Sequence, residues 1–194
     1  FLAAQVADGT LPAVADRVTG NPVVTTFSGD YQAGEYGGDL RMIMAKQKDI
    51  RMMMVYGYGR LVGYDTNLEL VPDILASIDV EENRIFTMHL RPGHRWSDGE
   101  PFTSDAFRYY WEDVANDKDL APFGLPSKLL VDGEAPQFEI INETTVRYIW
   151  PQPNPYFVPA LAGPSPLYIY RPAHYLKRFH PRYADADELE RRAK

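Results

Sequence analysis

The stretch Arg84–Asp113, RIFTMHLRPGHRWSDGEPFTSDAFRYYWED, constrains the fold more than any other. Phe86, Met88 and Leu90 alternate with Thr87, His89 and Arg91, the period of a half-buried strand. Pro92-Gly93 predicts a turn, because proline presets φ and glycine tolerates positive φ. His94-Arg95-Trp96 then reads as a short return strand and Ser97-Asp98-Gly99 as a second turn, with positive φ expected at Gly99. Thr103 is placed to cap a helix, and Asp105 sits in its first turn, where the helix dipole favours a negative charge. Phe107, Tyr110, Trp111 and Val114 follow at i, i+3, i+4 and i+7, one apolar helical face. Phe86, Trp96 and Trp111 are expected in the core.

The remaining elements are read around this nucleus. Residues 1–35 predict an extended arm with one strand at Val23–Phe27, and Leu40–Met44 alternates as a second strand. Lys46–Asp49 is a charged break. Arg51–Val62 is consistent with either a buried strand or a buried helix. Pro72 limits Leu68–Ala76 to a short helical turn, and Ser77–Val80 opens a hairpin with its tip at Glu82-Asn83. Asp117–Gly133 is a loop punctuated by Pro122, Gly124 and Pro126. A second hairpin is expected at Phe138–Ile141 and Thr144–Trp150, turning at Asn142-Glu143. Asn154 and Pro155 suit the start of a short helix bearing Phe157 and Leu161, stopped at Gly163. Leu167–Tyr170 reads as a strand, and Pro172 begins a helix with Tyr175, Leu176 and Phe179 on one side. Asp185 to Glu188 resembles a capping box.

The same residues carry a resemblance. Leu90-Arg91, Trp96-Ser97-Asp98-Gly99 and Phe102-Thr103-Ser104-Asp105 resemble the signature segment of the family-5 extracellular solute-binding proteins of ABC importers. The likeness extends to Leu11–Val24, Tyr36-Gly37-Gly38, Arg60–Asp65, Pro72–Ala76 and Pro155-Tyr156-Phe157. It implies an α+β fold, the N-terminal subdomain of a type II periplasmic-binding-protein-like architecture, with β-hairpins packed on short helices. Residues 1–45 are then expected as an arm and strand of a first lobe. Residues 46–194 are expected as that lobe's smaller subdomain, in an N-terminal fragment lacking the second lobe. The resemblance also favours a helix for Arg51 onward, leading into a turn at Arg60-Leu61-Val62.

The function implied is capture of a peptide or similar small solute for delivery to an ABC transporter permease. Contact with the membrane would come through the permease alone, in a periplasmic or otherwise exported setting. Oligosaccharide, opine or metal-chelate cargo is the variant reading, and a free-standing structural or interaction module is the rival. The segments resembling the family's ligand cleft place Lys46, Gln47, Lys48, Pro122 and Phe123 as candidate ligand-binding residues. Binding residues concentrate on loops held by rigid scaffolds, so for Phe123 ligand contact and simple packing both stay open.

Composition narrows the alternatives. With 45% apolar and 24% charged residues the chain reads as globular, and 194 residues bury a sizeable core. A net charge of −7 argues against nucleic-acid binding, which shows a basic footprint. With no cysteine there are no disulfides and no thiolate chemistry. No apolar run approaches the ~20 residues of a membrane span. No basic n-region precedes Phe1-Leu2-Ala3-Ala4, so no signal peptide is read within these residues. Its 13 Tyr, 9 Phe and 3 Trp suit a promiscuous cleft, since tyrosine combines contact area with a polar tip.

Catalysis and cofactors find little support. Gly57, Gly59 and Gly63 miss the dinucleotide spacing by one residue. His174 and His180 lie six apart, so they face different sides of a helix, and no metal set is read among His89, His94, His174 and His180. Asp98 is read as a turn residue and Asp105 as a helix-dipole partner. They, with Glu100, are set aside as catalytic carboxylates. No nucleophile elbow occurs, and no enzyme or cofactor is expected. Asn142-Glu143-Thr144 fits a glycosylation sequon and equally an ordinary hairpin turn.

Overall fold

The computed structural model describes residues 2–27, 29, 31–35, 37–53, 59–163 and 167–193. They fall into two compact units, Phe1–Tyr58 and Gly59–Lys194.

The first unit holds two short helices, α1 (Ala3–Ala7) and α2 (Val14–Arg17), and a 3₁₀ helix over Gln47–Met53. Neither α1 nor α2 buries a residue. The expected strands at Val23–Phe27 and Leu40–Met44 do not form: neither segment pairs in a ladder, and Val24 is 80% and Ile43 104% exposed. β-propensity describes how well a side chain fits a pleated surface, and no neighbouring strand supplies that surface here. The Lys46–Asp49 break is a helix start: the Lys46 N–H donates to the Asp49 carboxylate at 2.9 Å, and the Asp49 N–H returns to the Lys46 carbonyl at 2.9 Å. Of the expected helix from Arg51, the 3₁₀ turn covers the first residues and residues 54–58 lie outside the described ones.

The second unit is built on a four-stranded antiparallel sheet, order β3-β4-β6-β5, and a separate two-stranded ribbon, β1-β2. The ribbon pairs β1 (Val62–Tyr64) with β2 (Leu70–Pro72), where a turn and a short helix were expected. Pro72 is accommodated because it ends an edge strand, opposite Val62, where its missing N–H breaks no interior ladder.

In the larger sheet, β3 (Leu75–Glu81) and β4 (Ile85–Leu90) form the first predicted hairpin. Its tip is Glu82-Asn83, both at positive φ (51° and 53°), as a tight primed turn requires. β5 (Gln137–Asn142) and β6 (Thr145–Ile149) form the second, its turn fixed by the Thr144 N–H donating to Asn142 Oδ1 at 2.9 Å. The two hairpins join through β4 and β6, with Phe86 opposite Tyr148 and Met88 opposite Val146.

The alternation read from sequence has its physical counterpart in two sheet faces. Phe86, Met88, Leu90, Val146, Tyr148 and Trp150 are all buried on one. On the other, Asp79, His89, Thr145, Thr87, Arg147 and Glu139 form a polar ladder across the strands. Trp150, Tyr148, Phe86 and Phe157 pack ring against ring at 4.7 to 5.6 Å, except for the Tyr148–Trp150 pair at 6.0 Å.

From the segment 91–136, Phe102, Phe107, Tyr110 and Leu129 join the core on this face. Gly93 and Gly99 both adopt positive φ (78° and 93°), as the two turns demand. The expected strand at His94–Trp96 reduces to one bridge, Arg95 opposite Pro101, because the segment pairs with its own return and not with the sheet. Thr103 Oγ1 accepts from the Asp105 N–H at 3.4 Å and starts α3 (Asp105–Tyr109). A π-helical segment, Tyr110–Ala115, continues it. Its wider turn shifts the inward register. Phe107 and Tyr110 are buried as expected, whereas Trp111 and Val114 are half-buried and Asp113 and Ala115 turn inward.

Further on, α4 (Phe157–Ala162) begins two residues later than Pro155, which lies in a turn, and buries Phe157 and Leu161. Asn154 is itself buried, its carbonyl accepting from the Phe157 N–H at 3.2 Å. Leu167–Tyr170 is not a strand. Its flanks bond to helices, the Leu167 N–H to the Ala160 carbonyl and the Arg171 N–H to the Ala106 carbonyl. α5 (Ala173–Leu176) leads into a 3₁₀ turn, Lys177–Phe179, and α6 (Ala186–Ala193) starts with the Glu188 N–H donating to Asp185 Oδ1 at 2.8 Å. Tyr175 and Phe179, placed on one helical side by spacing, face outward, 44% and 42% exposed. No helix among the described residues is long and apolar enough to cross a membrane.

Trp96 is half-buried, not a core residue, while Trp150 is fully buried and its indole N–H donates to the Leu129 carbonyl at 2.9 Å. Trp150→Ala is therefore expected to cost ~3–5 kcal/mol, and Trp96→Ala no more than about 2 kcal/mol. Urea denaturation of the two variants gives the order; equal losses contradict the burial difference.

Candidate functional site

Two concave features lie in the second unit. The larger, a cleft of about 280 Å³, is lined by Trp96, Glu100, Thr103, Asp105, Glu143 and His174 among others. The Trp96–Gly99 turn positions its aromatic wall, closed by the Gly99 N–H donating to the Trp96 carbonyl at 3.0 Å. Trp96 lies against Phe102 (5.1 Å), His174 (6.1 Å) and Tyr170 (6.2 Å). Burial pushes the Tyr170 phenol up to about 12. The Ser104 N–H ties the β5–β6 turn to this wall through the Glu143 carbonyl at 2.8 Å.

Two carboxylates at or beside this cleft, Asp98 and Asp105, are engaged. Asp98 Oδ2 lies 2.7 Å from His174 Nε2, a partner 76 residues away. That hydrogen bond holds the Asp98 carboxyl below the usual range. Asp105 binds Arg108 at 2.7 Å and Lys177 at 3.6 Å. His89 likewise pairs with Asp79 at 2.9 Å, and burial lowers the His94 pKa. Linear spacing concealed both His–Asp pairs, since one crosses a hairpin and the other most of the unit. Among the described residues no three His, Asp or Glu side chains converge as a metal would require.

The second feature is the loop after the π segment. Asp117 Oδ1 accepts from the Asp119 and Leu120 N–H groups at 2.9 and 3.1 Å, which holds its carboxyl below the usual range. The Ala121 N–H bonds the Asp117 carbonyl at 2.8 Å, and a turn closed by the Gly124 N–H on the Ala121 carbonyl follows at 2.9 Å, with Gly124 at φ 77°. A depression of about 250 Å³ lies among Asn116, Lys118, Ala121, Gly124 and their neighbours. Pro122 is exposed, and Phe123 is 100% exposed: within its unit it packs on nothing. Of the sequence-predicted site residues, Pro122 and Phe123 share this loop. Lys46, Gln47 and Lys48 are exposed at the start of the first unit's 3₁₀ helix.

Sequence reasoning missed the cluster that holds this loop. Asp113, 1% exposed, accepts from the Arg182 guanidinium and, at 2.7 Å, from the Tyr183 hydroxyl. Its carbonyl accepts from His180 Nε2–H at 2.8 Å, while the Arg182 N–H donates to His180 Nδ1 at 3.1 Å. Arg182 also reaches Asp117 at 3.9 Å. An aspartate one residue off an apolar stripe carries no signal unless the π register is known.

The unit thus combines an antiparallel sheet and short helices with an aromatic ring left exposed on a closed loop. A sequence model of the bacterial extracellular solute-binding proteins, family 5 Middle, matches residues 69–189, and the chain belongs to that family. It is 34% identical over 122 residues to the periplasmic alpha-galactoside-binding protein of Rhizobium meliloti (strain 1021), covering 61% of this chain and 17% of that protein. It is 29% identical over 110 residues to the periplasmic murein peptide-binding protein MppA of Escherichia coli (strain K12), covering 50% and 20%. Among solved structures, an oligopeptide-binding protein OppA superposes with a TM-score of 0.79 at 29% identity, over 98% of this chain and 29% of that one. The chain thus spans about a fifth of the curated relatives' length.

The Asp98–His174 contact gives a signed pH effect. Asp98's folded pKa is depressed, so its contribution is present above the ordinary carboxylate range and lost as pH falls through the lowered folded value. In His174→Ala the Asp98 carboxyl is expected to titrate higher, by carboxyl-carbon NMR. The stability difference attributable to this contact should vanish in strong acid; an unchanged Asp98 titration refutes the contact.

Proposed function

We propose that this chain is part of the substrate-binding component of an ABC importer, capturing peptides or similar small solutes and delivering them to a membrane permease. The match of residues 69–189 to the family-5 solute-binding proteins carries this reading. Residues 1–45 serve as an arm of a first lobe, and residues 46–194 as its smaller subdomain, in the periplasm or another exported setting. Its work is binding and closure, with no covalent step.

Within that reading Phe123 and Pro122 face the ligand, and Lys46, Gln47 and Lys48 contribute polar contacts. A fully exposed phenylalanine on a loop pinned by Asp117 suits this role. The ring offers apolar contact at little ordering cost, because the loop is preformed. Peptide is the favoured cargo, since contacts to a peptide backbone accept varied side chains, in keeping with the names of the peptide-binding relatives. The alpha-galactoside-binding relative supports oligosaccharide as the second reading, an aromatic face serving a sugar equally.

Enclosure from two sides supplies most of a receptor's affinity, so one wall alone is expected to bind with a Kd near 1 mM, about −4 kcal/mol. Amide NMR titration of this chain with a tripeptide pool, and separately with an α-galactoside, is the test. Shifts should centre on residues 46–48 and 121–125 and disappear in Phe123→Ala, whose melting temperature stays that of the parent. Submicromolar affinity places the whole site within these residues and refutes the shared-cleft reading. Shifts confined to other surfaces refute the residue assignment.

A further inference from the structure

The segment after Arg171 differs in charge from the rest of the chain. Residues 171–194 carry seven Lys or Arg against four Asp or Glu, a net +3, leaving 13 against 23, a net −10, for residues 1–170. On this segment Tyr175 and Phe179 lie one helical turn apart, ring centroids 5.5 Å from each other, 44% and 42% exposed. Arg178 lies across both, its guanidinium 4.1 Å from the Tyr175 centroid and 5.6 Å from that of Phe179. Its Nε–H donates to the Tyr175 carbonyl at 3.0 Å. The Arg192 guanidinium covers Phe179 at 5.5 Å but is already paired with Glu188. Arg178, among the described residues, has no carboxylate at ion-pair distance.

We propose that Tyr175, Arg178 and Phe179 form a docking patch for an acidic protein surface, in which Arg178 receives a partner carboxylate. The inference does not rest on the ligand reading above. Tyrosine and arginine are the residues that concentrate binding energy at interfaces, and exposed rings bury apolar area when covered. Stacking fixes the guanidinium before the partner arrives, so less side-chain freedom is lost on binding. Its terminal N–H groups match the two oxygens of a carboxylate.

The base under the patch is rigid. Ala173 is buried, and the His180 ring is buried with both nitrogens bonded, to the Asp113 carbonyl and the Arg182 N–H. A discrete partner carboxylate suits the patch better than an anionic lipid plane, because exposed acidic residues, Asp185 and Asp187, adjoin it at the start of the next helix. A second copy of this chain also fits less well. It would have to present carboxylates from another part of the chain, a head-to-tail contact that ends only if it closes into a ring.

The test is fluorescence anisotropy of the 194-residue chain with a labelled twelve-residue peptide carrying four Glu among Leu and Ala, and with its Gln analogue. Binding of the Glu peptide is expected at 50 mM salt, at least tenfold weaker for the Gln analogue and for Arg178→Ala. Arg178→Lys, a point charge without the fork, should recover only part of that loss. Arg191→Ala, outside the patch, should stay within twofold. Circular dichroism confirms that each variant is folded. The proposal is overturned by no binding of the Glu peptide at millimolar concentration, by Arg178→Ala within twofold of the parent, or by Arg178-dependent binding only to phosphatidylglycerol vesicles. Arg178-dependent self-association in sedimentation overturns it in favour of a second copy.

Discussion

The pairing of β4 with β6 is the interaction on which the second unit depends. Each hairpin is local, closed by its own turn at Glu82-Asn83 or at Asn142–Thr144. A lone hairpin is marginal in water because it has one apolar face and nothing to cover it. Joining β4 to β6 across some sixty residues sets Phe86 beside Tyr148 and Met88 beside Val146. The result is one continuous apolar face, against which Trp150 and Phe157 complete an aromatic cluster. The register is strongly specified, since a slip of one residue would carry Phe86 and Tyr148 to the face now held by Thr87 and Arg147.

The long connection between these strands is then held where it must lie. The Trp150 indole N–H bonds the Leu129 carbonyl, fixing the end of the loop that begins at Asp117. Its other end is fixed by the π segment, which turns Asp113 inward to collect Arg182, Tyr183 and His180. A buried carboxylate is tolerated only when its oxygens are bonded, and losing one partner leaves an uncompensated charge. Asp113 thereby binds the segment around residue 180 to the helix before the loop. The price is a charge taken out of water, and the return is a single fixed geometry for the residues on either side.

Local physics was legible in the sequence. The faces of β4 and β6 followed from period-two alternation, the turns at Gly93 and Gly99 from backbone freedom, and the starts of α3 and α6 from Thr103 and Asp185. What failed needed information from elsewhere in the chain. Val23–Phe27, Leu40–Met44 and Leu167–Tyr170 have the composition of strands, but a strand exists only through a partner, which composition does not name. Leu70–Pro72 has a partner in Val62–Tyr64 and became a strand despite its proline. Tyr175 and Phe179 do share a side, as their spacing gave, but spacing does not say which way that side points, and it points outward. In the site the sequence placed Pro122 and Phe123 on a loop but left packing and exposure open for Phe123, and it gave no sign of the His174–Asp98 pair, 76 residues apart.

These failures bear on how a receptor wall is made. Phe123 costs the folded chain little more than it costs the unfolded one, since its ring stays in water in both, so folding gives no reason for it to be there. The loop that carries it is nonetheless closely determined: the Asp117 carboxylate gathers two N–H groups, the Gly124 turn closes over Ala121, and Leu125 packs against the core. A segment so ordered, ending in a side chain so unused, has its conformational entropy spent in advance of any ligand. In the proposed reading this is the useful arrangement, because a ligand meeting a preformed wall loses affinity only to its own ordering. The carboxylates at or beside the cleft act on shape in the same way. Asp98 and Asp105 are each tied to a cation or a histidine, which fixes the turn and the helix start on which the cleft is built.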